Sequence, residues 1–125
     1  MSGVSVSNGI VLGRLNSANF NSTADQGIAI NSTRYIIRRI VVQNASTSLT
    51  TAAGGFYAAT SKTTALVSAA QVYTVLTAST KYVDTTLTAL VGTDVRTEAT
   101  LYFSLTTGQG GAATADILII GDRLD

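Results

Sequence analysis

The sequence predicts an all-β fold, a single-domain antiparallel β-sandwich of about seven or eight short strands. Three observations carry that expectation. Apolar and polar residues alternate with period two over residues 98–107, where Ala99, Leu101, Phe103 and Leu105 fall on one side and Thr100, Tyr102, Ser104 and Thr106 on the other. The apolar stretches are rich in β-branched residues, which lose rotamer freedom in a helix and pack well on a pleated surface. Short clusters of Gly, Ser, Thr and Asn punctuate the chain, and no segment repeats with a period of about 20 to 50 residues, which sets solenoids and propellers aside.

Taken in order, residues 10–15 read as a strand. Residues 16–25 are polar, with Phe20 as the single large apolar side chain. They form either a loop or, together with residues 1–13, an arm laid on a neighbouring subunit. Residues 1–26 are accordingly an N-terminal arm or edge segment, whether or not they share the domain of the β-sandwich expected over 27–125. Residues 27–30 form a short strand. Residues 34–44 form a longer one, carrying Tyr35, Ile36, Ile37, Ile40, Val41 and Val42 with apolar residues on both faces. Strict alternation sends the adjacent Arg38 and Arg39 to opposite faces, whereas a β-bulge puts both on one side. The pair Gly54-Gly55 reads as a turn opening into a strand. Further strands are expected near 65–69 and over 81–87, with a short turn or helix at 74–79. Leu101, Phe103 and Leu105 form the core face of the strand over 98–107. The glycine-rich stretch 108–113 then turns into a last strand over 114–120, the two reading as a long hairpin.

Composition bounds the chemistry. The 125 residues contain no His, Cys, Pro or Trp, only 12% are charged, and the net charge is +1. The 20 Thr, 17 Ala, 12 Ser and 11 Gly dominate instead. Without imidazole or thiol, a Ser-His-Asp arrangement and a His/Cys zinc site are both out of reach. The acids Asp25, Asp84, Asp94, Glu98, Asp116, Asp122 and Asp125 are dispersed, though Asp116, Asp122 and Asp125 come near enough in sequence to meet in space. No catalytic residue, metal site or cofactor is expected, and the chain reads as not an enzyme. The stretch 108–113 leads into a strand, not into the helix a phosphate loop requires. The triplets at Asn21, Asn31 and Asn44 are accidents of a Ser- and Thr-rich composition. A near-neutral chain offers no field for nucleic acid, and its longest apolar run, 117–120, is far too short for a membrane span. Residues 1–8 lack the pattern of a secretory signal. The five tyrosines are assigned to core and interface packing. A surface this poor in charge is inexpensive to desolvate, which favours contact with other protein. The candidate interface residues are Ser2, Val4 and Val6 in the N-terminal segment and Arg38 and Arg39 in the strand over 34–44.

The blocks Tyr35-Ile36-Ile37-Arg38-Arg39-Ile40-Val41-Val42-Gln43-Asn44-Ala45-Ser46, Leu49-Thr50-Thr51-Ala52-Ala53-Gly54-Gly55-Phe56-Tyr57 and Leu101-Tyr102-Phe103-Ser104-Leu105-Thr106-Thr107, with the closing Ala113-Thr114-Ala115-Asp116-Ile117-Leu118-Ile119-Ile120-Gly121-Asp122, resemble small structural proteins of tailed bacteriophages. The resemblance covers roughly residues 27–124 and is one of strand phrasing, with no catalytic motif to carry over. It implies a β-sandwich, the jelly roll being one form of it. It further implies a decoration (cement) protein on the exterior of the virion capsid, bound to the major capsid protein of a phage head and assembled with itself as a homotrimer. No nucleic acid or membrane partner is implied. The alternatives are a phage tail, fibre or head-completion module and, from another class, a host-surface carbohydrate-binding sandwich with exposed loop aromatics.

Overall fold

The computed structural model describes residues 7–125, which form eight strands and, among these residues, no α-helix. In chain order they are β1 (Ser7–Asn19), β2 (Gln26–Ala29), β3 (Tyr35–Gln43), β4 (Ala53–Ala59), β5 (Thr63–Val67), β6 (Tyr82–Asp84), β7 (Thr100–Thr107) and β8 (Thr114–Arg123), with a single 3₁₀ turn at Ala89–Gly92. Two four-stranded antiparallel sheets result, sheet A in the order β1-β8-β3-β6 and sheet B in the order β2-β7-β4-β5. Strands therefore pair as first with last, second with seventh, third with sixth and fourth with fifth. That nesting is an antiparallel ribbon rolled into two layers, the jelly-roll form of the β-sandwich.

The core lies between the sheets. Leu12, Ile37, Ile40, Val42, Ile117 and Ile119 point into it from sheet A, and Ile28, Phe56, Leu101, Phe103 and Leu105 from sheet B. At its centre Phe103 packs against Phe20 and Phe56, with ring centroids at 4.7 and 5.0 Å, and edge-on against Tyr73 at 6.5 Å. The buried Tyr73 hydroxyl donates to the Gly54 carbonyl at 2.9 Å, so its polar tip costs little.

Several expectations are corrected. The strand over 98–107 and the one over 114–120 are not a hairpin, because β7 is central in sheet B and β8 central in sheet A. The stretch between them crosses from one sheet to the other, held by Gln109 N–H on the Phe20 carbonyl (2.9 Å) and Gly110 N–H on Asn21 Oδ1 (2.8 Å). Instead of a hairpin partner in β7, β8 has β1 along one edge and β3 along the other. Gly54 and Gly55 lie inside β4, not in a turn. A Cβ on Gly54 would overlap the backbone of Leu105 and one on Gly55 the Val67 carbonyl, so both mark close backbone approach. Residues 16–19 are neither loop nor arm but the end of β1, paired with β8, and Phe20 beyond them is fully buried. The strand expected at 65–69 runs over Thr63–Val67, and residues 74–79 form turns without a helix. The strand expected over 81–87 stops at Asp84, because Thr85 gives both its N–H and its hydroxyl to the Ile40 carbonyl and Leu87 has crossed to pair with Val67.

Candidate interaction face

The structure brings Arg38 and Arg39 together on the outer face of sheet A. Unbroken alternation from Ile37 would turn Arg39 into the core. A bulge between Ile37 and Arg39 inserts one residue, so Ile37 and Ile40 are buried and both arginines between them are exposed. Arg38 Nε donates to Asp122 Oδ2 at 2.8 Å, and Arg39 Nε to Asp84 Oδ2 at 3.0 Å. Both arginine side chains remain about half exposed, at 55% and 47%. Pairs this wet add little stability, but they hold two cations and two anions at fixed places on the face.

The pairing register lays the outward residues in rows across the strands. One row runs Arg14, Leu118, Val41, Asp84 from β1 through β8 and β3 to β6. On one side of it lies the row Val11, Ile120, Arg39, and on the other the row Asp116, Gln43, Tyr82. Val41 and Leu118 lie outside the core between the sheets but are largely covered within the single chain, at 5% and 9% exposed, while Val11 and Tyr82 at the margins are 44% and 57% exposed. Arg14 bonds Asn16 Oδ1 at 2.9 Å, and among the described residues no carboxylate lies within salt-bridge distance of it. Sequence reasoning missed Arg14, Asp84, Val41 and Leu118. The signal was the apolar content on both faces of residues 34–44 and 114–120, but assigning it needs the position of the bulge and the identity of the neighbouring strands.

Asp116, Asp122 and Asp125 do not meet, and among the described residues no three His, Cys, Asp or Glu side chains form a metal-holding group. Each binds its own surroundings. Asp116 accepts from the Ser17 N–H (2.8 Å) and Asn44 Nδ2 (3.1 Å), tying down two residues with left-handed φ of 53° and 56°. Asp122 accepts from the Gly9 N–H (3.0 Å) as well as from Arg38. Asp125 accepts from the Thr33 N–H (2.9 Å) and from the hydroxyls of Ser32 and Thr33. In all three the backbone N–H is the main cause that holds the carboxyl below the usual range, whereas for Glu98 it is the hydrogen bond from Arg96. Carboxyls with lower pKa folded than unfolded stabilise the fold above the unfolded value, and that contribution is lost as pH falls through the folded one. Thermal melts are therefore expected to show a falling Tm between about pH 5 and about pH 2. A flat profile there would contradict these bonds.

The described residues also form two grooves. One of about 470 Å³ is lined by Ser17, Asn44, Ser46, Thr77, Ser79 and Asp116, the other of about 240 Å³ by Asn31, Ser32, Thr33, Thr97 and Asp125. In both, the carboxylate is already engaged by its own neighbours.

Two of the sheet edges are partly covered. On β1, the Leu12 carbonyl accepts from Asn31 N–H at 2.9 Å, and the Gln26 side chain bonds both the N–H and the carbonyl of Asn19. On β5, Thr88 bonds the carbonyls of Leu66 and Ala65 through its N–H and its hydroxyl. The remaining edge strand of sheet A, β6, is only three residues long. Partly covered and shortened edges discourage strand addition, which favours protein contacts at the faces. Ser2, Val4 and Val6 lie outside the described residues. Compared with family models, curated proteins and solved structures, the chain matches none.

Proposed function

We propose that this chain is a non-enzymatic structural protein that decorates and stabilises a phage capsid as an oligomer, with the major capsid protein as its partner. The observation that carries this reading is the jelly roll itself, a scaffold with its β1 and β5 edges partly covered, its β6 edge short, and charged and apolar side chains laid out on a sheet face. Viral capsid and lectin domains share this architecture, so the fold by itself does not choose between them. The aromatic residues favour the virion. Phe20, Tyr35, Phe56, Tyr57, Tyr73 and Phe103 are buried, and the exposed Tyr82 stands on β6, not in a loop. A sugar platform of loop aromatics is thus missing among the described residues. Many copies on a repeating shell also bind firmly through contacts that are individually weak, as a low-charge surface supplies.

Co-sedimentation with capsids lacking this protein tests the reading. The expected result is saturable recovery in the capsid pellet, with no retention on host-surface polysaccharide. A chain that stays in the supernatant, or that binds the polysaccharide with no capsid present, would overturn it.

A further inference from the structure

We infer that the outer face of sheet A is the contact surface for a second copy of this chain, the two copies packing face to face about a two-fold axis that runs nearly along the strands between β8 and β3. This goes beyond capsid decoration, because it concerns what the face meets when no capsid is present. The argument rests on the order of side chains in each row. Rotation about such an axis lays every row on its own reverse. The row Arg14, Leu118, Val41, Asp84 then sets Arg14 over Asp84 of the second copy and Leu118 over Val41, twice, by symmetry. Asp116 comes over the Gln43 amide, and Asp122, already bonded to Arg38 of its own chain, comes over Ile36. Ile120 meets the aliphatic stem of Arg39. No row opposes like charges.

The other two-fold axis in the plane of the face runs across the strands, and it fails the same examination. It reverses each strand and, where it crosses β8 at Ile119, the middle of the face, brings Asp116 over Asp122 of the second copy, two carboxylates held ionised by their own hydrogen bonds. Like charges so juxtaposed oppose association. The strand-parallel axis also offers Arg14 a carboxylate in Asp84 of the second copy, in addition to the field of Asp116 in its own chain. It suits the usual packing of twisted sheets, about 10 Å apart with strands within about 30° of alignment. With four strands and nine residues in β3, the face measures roughly 20 Å by 30 Å, somewhat under the usual interface of about 800 Å² per partner. The dimer is accordingly reversible. Its symmetry differs from the trimer that the phage resemblance implies, which needs two different patches on each copy.

Sedimentation equilibrium of the full chain without capsids tests this, over about 1 to 500 µM to span weak protein–protein affinities. The expected result is a monomer–dimer equilibrium that Arg14→Glu and Asp84→Arg each weaken by about tenfold or more, and that the double variant Arg14→Glu/Asp84→Arg restores to within about threefold of wild type. Arg14→Ala, which removes the pair without reversing a charge, should weaken it less. Circular dichroism melts confirm that each variant is folded. A monomer throughout, a trimer, single variants that associate like wild type, or a double variant as weak as the singles would each overturn the proposal. Capsid co-sedimentation is a separate measurement, and its failure would leave these outcomes untouched.

Discussion

Phe103→Ala is expected to cost about 3 to 5 kcal/mol, the range for removing a large buried aromatic and leaving its cavity. Phe103 is fully buried and is the one ring in contact with all of Phe20, Phe56 and Tyr73, so the hole opens where the two sheets and the residue after β1 converge. Edge-on and tilted ring pairs are worth about 0.5 to 1.5 kcal/mol each beyond their burial, which places the loss toward the upper end. Set against a typical total stability of about 5 to 15 kcal/mol, such a loss leaves much of the population unfolded at elevated temperature. Urea unfolding read by circular dichroism measures it. A midpoint shift worth under about 1 kcal/mol would mean that the aromatic cluster is not the centre of the core.

Gly121→Ala is expected to destabilise by about 3 kcal/mol, the upper end of overpacking costs, because the new Cβ has nowhere to go. It would overlap the Ile36 carbonyl and lie 2.9 Å from Leu12 Cδ1. The obstruction is backbone, so no rotamer change relieves it. Gly121 sits on β8 opposite the bulge of β3, at the step where the register slips between Ile37 and Arg39. The absence of a side chain there lets the bulged strand close on β8, and through the bulge it sets where Arg38 and Arg39 emerge. Gly111→Ala is the control. Nothing lies within 4 Å of its Cβ position, and the change should fall within about 0.5 kcal/mol of wild type. Equal melting of the two variants would rule out the close approach at Gly121.

These two positions differ in how far the sequence announces them. Phe103 stands in the clearest alternation of the chain, and its burial follows from period two alone. The bulge was half legible, since two adjacent arginines in an apolar strand demand either two covered faces or a break in the alternation. Gly121 was not legible. A glycine inside a strand signals close approach, but what approaches is Ile36, 85 positions earlier, and no local pattern names it. The same limit explains the failed hairpin. The glycine-rich stretch between β7 and β8 has turn chemistry, and turn chemistry says that the chain bends, not which sheet it enters next. Phe20 shows the converse, a lone aromatic in a polar stretch whose burial depends on Tyr73 and Phe103 folding over it. The interaction face was hidden for the same reason, because Arg14, Leu118, Val41 and Asp84 form a row only after β8 has been placed between β1 and β3.

The nested pairing also dictates when the protein acquires its shape. Of the eight strands, only β4 and β5 are neighbours both along the chain and within a sheet, so a single short hairpin is available to a nascent chain emerging from the ribosome. Both β1 and β3 wait for β8, which is synthesised last of the eight, and β2 waits for β7. Loop closure over such distances must precede the contacts that reward it, which makes folding slow, in the millisecond-to-second range typical of non-local β topologies. Until β8 arrives, the backbone groups of β1 and β3 that it will engage stand open, as do the edges that are later partly covered. The interval before closure, and not the finished molecule, is when neighbouring nascent chains can pair with one another in error.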